Sequence, residues 1–366
     1  MILAVNHVFQ RCAMTFCAMA QTFRFIPLVL FCALFLQGCG KESAVENPTS
    51  LHTFTGQVMG TLYSVKYLPP ATSALPPKEI DVQIHARLSH VDQLMSTYKP
   101  ESEVSRFNRS VPGEWFEVSA ETFEVVSLAQ VISDKTAGAF DISVARLVNL
   151  WGFGPDHHVA QVPDEDQLFA VLIEVGYEKI ELHTSELKLR KMTPLRIDLS
   201  AIAKGYGVDQ VADFLDETGV TTYMVEVGGE IRTRGLKPNG KPWRIAIEAP
   251  NTDQRDVHSI IDITDRAVAT SGDYRNYFEK DGQRFSHTID PKTGYPITHN
   301  LASVTVIGET AAEVDALATA FSVLGPDQAM QYAKAYNVAA YFIVKEREGF
   351  VGKASNAFIS MTRKEL

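Results

Sequence analysis

The chain has 366 residues, 45% of them hydrophobic, and carries a formal net charge of −10 at pH 7. Its length admits one large domain or two small ones at about 150 residues per domain. The acidic balance excludes a nucleic-acid partner, which needs a basic face. The only cysteines are Cys12, Cys17, Cys32 and Cys39, so everything after residue 39 lacks disulfides and thiol chemistry.

Residues 1–38 carry only two charges, Arg11 and Arg24. The apolar run Phe25–Leu36 is too short for a spanning helix, which needs about 20 residues, and fits a signal-peptide h-region. Leu36-Gln37-Gly38-Cys39 then resembles a bacterial lipobox, with Cys39 as the lipidated residue. A buried core helix is the alternative. The expected organisation is a lipoprotein signal peptide over 1–38, a polar tether over 39–50, and one folded domain over 51–366. A lipid anchor at Cys39 would hold that domain at the periplasmic face of a bacterial membrane.

Thr53–Lys66 alternates and predicts a strand pair around Met59-Gly60-Thr61. Ile80, Ile84, Leu88, Val91 and Met95 recur at helical spacing. Ser119 can cap a second helix bearing Phe123, Val126, Leu128 and Val131, closed by Gly138. Asp164–Val175 reads as a short helix, and Lys179–Leu182 with Leu187–Leu189 as a hairpin.

At Ile197–Gly207 an apolar run delivers Asp198 from a buried strand, and Ser200 can cap the following helix. Lys204 falls in its first turns, where free amides and the positive helix end favour an anion. Gly205 and Gly207 each cost about 1 kcal/mol against Ala in a helix interior, so something approaches closely there. A ligand carrying phosphates suits this stretch. So does a strand-to-helix corner with a capping Asp and a packing Gly.

The second half is mostly strands: Thr222–Val227, Trp243–Ile247, Ser259–Ile263, Ala267–Thr270, Phe285–Ile289 and Ala302–Ile307. Thr310 and Glu313 form a capping-box pattern opening a helix to Val323, which Gly325-Pro326 breaks. A last helix and the strand Val338–Val344 close the chain. The fold class expected is α+β: a single domain with mixed or antiparallel sheets and flanking helices.

Asp315 and Thr319, four apart, share a helix face and can offer two hard oxygens to magnesium, which wants six. A backbone carbonyl such as that of Ala201 could add another. The alternative is an Asp complementing the helix dipole and a Thr bonded to its own helix. His287, between a strand and a sharp turn, suits general-base work with an unperturbed pKa of about 6.5; a structural or surface His is the alternative. Ala139-Phe140-Asp141 sets an aromatic beside a carboxylate, suited to a ring with polar edges. There is no Walker A sequence, and Gln210 breaks a dinucleotide-binding glycine pattern after Gly205-Tyr206-Gly207.

Several stretches in order resemble the ApbE family of FAD:protein FMN transferases. They are Met59-Gly60-Thr61, Met95–Tyr98 with Ser102–Asn108, Gly138–Asp141, Ile197–Gly207, Val227–Glu230, Ser271-Gly272, Ser286–Pro291 and Asp315–Ala320. The resemblance implies an ApbE-like, T-fold-like domain over 51–366 that binds FAD with magnesium on its pyrophosphate. It would transfer FMN to a Thr or Ser hydroxyl of an acceptor protein and release AMP. Acceptors in this family are subunits of flavin-bearing membrane redox complexes and related periplasmic proteins. Carried over, Asp315, Thr319 and the Ala201 carbonyl would hold magnesium, and His287 would be the base. Met59, Tyr98, Ala139, Phe140, Asp141, Asp198, Lys204 and Ile289 would line the FAD site. Some relatives carry a second acid between the two helix ligands, where this chain has Ala318. Rival readings are an FAD pyrophosphatase giving FMN and AMP, and a flavin-binding lipoprotein without chemistry.

Overall fold

Apolar periodicity and turn chemistry divide the chain into 15 strands and eight α-helices among the described residues. The structure, a computed structural model, describes residues 50–70, 75–156, 161–250, 256–272 and 276–362. The signal peptide, the lipidation residue Cys39 and nearly all of the tether lie outside the described residues. Residues Asn47–Leu366 form one compact unit.

In chain order come β1 (His52–Val58), β2 (Thr61–Tyr67), α1 (Pro77–Met95), α2 (Glu103–Arg109), β3 (Phe116–Glu117), α3 (Ala120–Lys135), α4 (Ala145–Leu150) and α5 (Glu165–Leu172). A 3₁₀ turn at Tyr177–Lys179 leads to β4 (Ile180–His183), β5 (Lys188–Lys191), α6 (Ala203–Glu217), β6 (Tyr223–Val227), β7 (Glu230–Arg234), β8 (Trp243–Glu248) and β9 (Val257–Ile263). Then follow β10 (Ala267–Gly272), β11 (Tyr277–Lys280), β12 (Gln283–Ser286), β13 (Leu301–Gly308), α7 (Ala311–Ala335), β14 (Ala339–Glu346), β15 (Gly349–Ala354) and α8 (Asn356–Thr362).

Eight strands form the main sheet in the order β1-β2-β6-β7-β10-β13-β14-β15. Each neighbouring pair is antiparallel. Smaller sheets are β3-β5-β4, β8-β9 and β11-β12. The mixed alternative drops out, since the described strand pairs are antiparallel and parallel pairing is confined to an isolated bridge between Val144 and Arg196. Met59 and Gly60 join β1 to β2 with φ of 50° and 69°, the two positive values that a tight two-residue hairpin loop demands.

The expected face of α1 is the buried one: Ile80, Ile84, Leu88, Val91 and Met95 all go into the main core. That core lies between the sheet and the helices α1, α6 and α7. A second cluster, including Ile245, Ile261, Ile307, Ile343 and Phe358, joins β8–β9 and α8 to β10, β13 and β14. Apolar cover on both faces explains why β13 is a continuous buried run and not an alternating one. A third cluster gathers Leu147, Trp151 and Leu168 with Ile289, backed by Phe278 and Phe285 of the β11–β12 hairpin.

Two local expectations need correction. The strand expected over Phe285–Ile289 ends at Ser286, and Ile289 makes only a bridge to Pro296. Thr310 stands at the N-cap of α7 without a side-chain cap bond. Asp209 of α6 does that work instead, its two carboxylate oxygens accepting from the Ala311 and Ala312 amides at 2.9 Å each. The break expected at Gly325-Pro326 is there: Gly325, at φ 75° and ψ 174°, leaves the helical conformation and divides α7 in two.

Candidate active site

The stretch before α6 is extended but belongs to no sheet. Asn108 takes the place of a neighbouring strand: its amide donates to the Ile197 carbonyl at 2.8 Å, and its oxygen accepts from the Ile197 amide at 2.7 Å. The Asp198 amide donates to the Ile142 carbonyl at 2.7 Å. Ile197 and Leu199 are fully buried, so the alternation turns Asp198 the other way, into a pocket of about 430 Å³. Oδ1 of Asp198 accepts from the Ser200 amide at 2.8 Å. Ser200 is therefore part of a turn and not the helix cap; α6 starts at Ala203, after Ile202, without a side-chain cap.

The glycines of α6 serve packing. A Cβ on Gly205 would stand 2.3 Å from the Ala311 carbonyl oxygen, where α6 crosses α7, and one on Gly207 would meet Leu88 and Met59 at 3.3 and 3.4 Å. The crossing brings Asp315 to the start of α6, where its Oδ2 accepts from the Gly205 amide at 3.1 Å. The amide expected to face a ligand is thus already held by a carboxylate.

Lys204 reaches into the pocket between two acids. Its Nζ is 2.8 Å from Oε1 of Glu230 and 3.8 Å from Oδ1 of Asp315. Gly228, at φ 62°, makes this possible, because a Cβ there would press on Thr61 at 2.9 Å and on the Lys204 stem at 3.3 Å. Burial, with Asp315 adding repulsion, pushes the Glu230 carboxyl up to about 8, against the pull of Lys204. Burial also raises Asp315. For Lys204, burial acts downward, but Asp315 and Glu230 together hold the ammonium above the usual lysine value.

Oε2 of Glu230 is buried without a hydrogen-bond partner among the described residues. With both acids ionised, one partly exposed ammonium faces two buried carboxylates. A surplus negative charge and an orphaned oxygen fit a hard cation. Thr319 lines the same pocket one turn beyond Asp315, as does Ala201. No cluster of three or more His, Cys, Asp or Glu suited to a metal occurs among the described residues, so oxygens of other kinds would complete the set.

His287 lines this pocket too. Its Nδ1 lies 3.1 Å from the Asn276 carbonyl, which also accepts the His287 amide at 3.1 Å. A carbonyl only accepts, so Nδ1 carries the hydrogen and the neutral ring has its lone pair on Nε2. Phe153 meets the ring edge-on at 6.4 Å.

Tyr98, Ala139, Phe140, Asp141 and Ile289 line the pocket as well. Burial and the nearby Asp198 raise the Tyr98 hydroxyl's pKa. Two expectations change in detail. The Phe140 ring is buried in the core. Asp141 spends both oxygens at home, accepting from the Ser143 amide and hydroxyl at 2.8 and 2.7 Å and from the Tyr177 amide at 2.9 Å. This run frames the pocket and does not offer it a free ring and carboxylate. Met59 is absent from the lining; at the tip of the first hairpin it packs towards Gly207. Ala318 is buried in the core and, unlike Asp315 and Thr319, does not line the pocket. Glu230, at the end of the Val227–Glu230 stretch, has no role legible in the sequence. Asn108, Asp209 and Asn276 act through backbone groups and leave no local signal.

A family model described as the ApbE family matches residues 59–342. A Haemophilus influenzae protein named FAD:protein FMN transferase is 44% identical over 335 residues, 90% of this chain and 95% of that protein. The solved flavin transferase ApbE from Vibrio cholerae shares 44% identity and a TM-score of 0.79, covering 85% of this chain and 99% of that one. The flavinyl transferase ApbE of Pseudomonas stutzeri in its apo form gives 39% and 0.79, over 87% and 98%. The matched span holds every residue of the Lys204–Glu230–Asp315 cluster and His287, and likeness in sequence and in fold coincide along it: this chain belongs to the ApbE family.

Proposed function

We propose that this chain transfers the FMN moiety of FAD to a Thr or Ser hydroxyl of an acceptor protein. The acceptor oxygen attacks the FMN-side phosphorus. The bond from that phosphorus to the bridging oxygen breaks, AMP leaves, and the hydroxyl proton passes to His287. FMN remains on the acceptor as a phosphodiester. The observation that carries this reading is a single pocket lined by the Lys204 ammonium, flanked by Glu230 and Asp315, together with an imidazole whose lone pair is on Nε2. Lys204 offsets charge growing on the phosphate oxygens, and His287 takes the proton.

Asp315, Thr319 and the Ala201 carbonyl would hold magnesium. Bound there, it supplies Lewis-acid stabilisation of the pyrophosphate. Asp198, Tyr98 and Ile289 would bound the FAD site. The lipobox ending at Cys39 supports export and a lipid anchor, which would put the enzyme at the periplasmic face of a bacterial membrane. There it would meet flavin-bearing subunits of redox complexes.

The test supplies the full chain with FAD, magnesium and a threonine-bearing acceptor domain. A mass gain of one FMN on the acceptor, with matching AMP, is expected. AMP without a mass gain would replace transfer by FAD hydrolysis. Bound FAD with neither product would leave a carrier.

A further inference from the structure

Two segments that wall the pocket also wall a second cavity. Val144, Val148 and Asp198 line the first. Arg146 and Arg196, from the same segments, line a separate cavity of about 410 Å³ together with Arg109 and Lys191. Four of its eight lining residues are cations and none is acidic. In a chain of net charge −10, such a gathering is not a reflection of composition.

The cations are held in place but only partly neutralised. Lys191 is 2% exposed, and its Nζ donates to the carbonyls of Asn108 at 2.7 Å and Leu195 at 3.3 Å. No carboxylate pairs with it among the described residues. Arg146 pairs with Glu174, and Arg196 with Asp156 at 3.1 Å. Arg109 donates to the Pro100 carbonyl at 2.7 Å and has only a loose, exposed partner in Glu101 at 3.9 Å. The pairs of Arg109 and Arg196 are exposed, contribute little and exchange readily, whereas the Arg146–Glu174 pair is partly buried and close. Burial first, and the charge of Arg196 second, depress both Lys191 and Arg146.

Three guanidinium forks and a fixed ammonium around one cavity match an anion with several oxygens, not a single carboxylate. We propose that this cavity binds a phosphate group, in a site distinct from the pocket that holds Lys204 and His287. The phosphate could belong to free inorganic phosphate or to a phospholipid headgroup. The inference stands apart from the transfer reaction, because none of the four cations belongs to the site proposed for it.

The experiment uses the full chain saturated with FAD, so that phosphate sites of the first pocket are filled. Calorimetric titration with inorganic phosphate is expected to show one saturable event per chain. In Arg109→Gln/Arg196→Gln the event weakens by about tenfold or more, as expected for losing two charge-assisted donors, while FAD affinity stays within about twofold. Should the double variant fail to fold, Arg109→Gln alone serves, since its partner Glu101 is 82% exposed and is left in water. A parallel titration with dihexanoyl phosphatidylglycerol, kept below its micelle concentration, separates the sources. Tighter binding of the lipid supports a headgroup site, and tighter binding of inorganic phosphate a soluble ligand. No saturable event in the FAD-loaded wild type, or equal binding by the folded variant, would overturn the proposal.

Discussion

The Gly205 amide donates to Oδ2 of Asp315 at 3.1 Å across a crossing of α6 and α7 that leaves no space for a side chain at 205. One contact thus ties the packing of two helices to the placement of the carboxylate proposed for the metal. Gly205→Ala drives a methyl into the Ala311 backbone. Overpacking of this kind costs about 1–3 kcal/mol. Denaturant titration should show that loss, and the folded fraction should lose magnesium-dependent turnover because the crossing must widen. Unchanged stability and turnover would contradict this account of Gly205.

Asp315→Asn separates charge from shape. The amide oxygen can still accept from Gly205, while Lys204 and Glu230 remain as a neutral pair. Stability is expected to hold or rise, since one of two buried acids that repel each other is gone. Transfer should fall by more than about 100-fold, because even outer partners of metal ligands cost about 10–100-fold. A melting temperature that collapses while activity per folded molecule survives would remove Asp315 from the metal site.

The stretches that could be read from sequence are those whose cause is local. The five apolar residues of α1 recur at helical spacing, and they are the ones buried. Met59-Gly60 is a turn signal, and it turns. Asp198, Lys204, His287, Asp315 and Thr319, which only the family resemblance joined in one site, line one pocket. What escaped has a distant cause. Ser200 is a good capping residue by type, but Asp198 captures its amide and α6 begins at Ala203. The start of α7 is satisfied by Asp209, which lies 102 residues away from Ala311. Glu230 gains its importance only when folding sets it beside Lys204 and Asp315, and no spacing rule joins those three.

His287 is fixed from behind by the Asn276 carbonyl and not by the substrate. Replacing it should therefore leave the FAD site standing. His287→Ala is expected to bind FAD within about threefold of wild type. Losing a general base lowers rates by about 10²–10⁴-fold, so transfer should fall into that range in a single-turnover mass assay. Transfer at the wild-type rate would take the base role away from His287.

Lys191 provides a test of the basic cavity through pH. Burial, aided by Arg196, pushes its ammonium down to about 8 from an ordinary 10.5. Between those values the unfolded chain binds the proton that the folded chain has released, so this group's contribution to stability rises with pH across that window. Below pH 8 both states are protonated and the full penalty of the buried charge applies. Arg109, Arg146 and Arg196, which share the cavity, stay charged throughout. Lys191→Met removes the titrating group. Wild-type stability minus that of the variant should therefore climb from pH 8 towards pH 10.5 in denaturant titrations. Inorganic phosphate should flatten the climb, because an anion beside Lys191 holds its proton on. A difference that is flat without phosphate would mean that the ammonium is not strained by its surroundings.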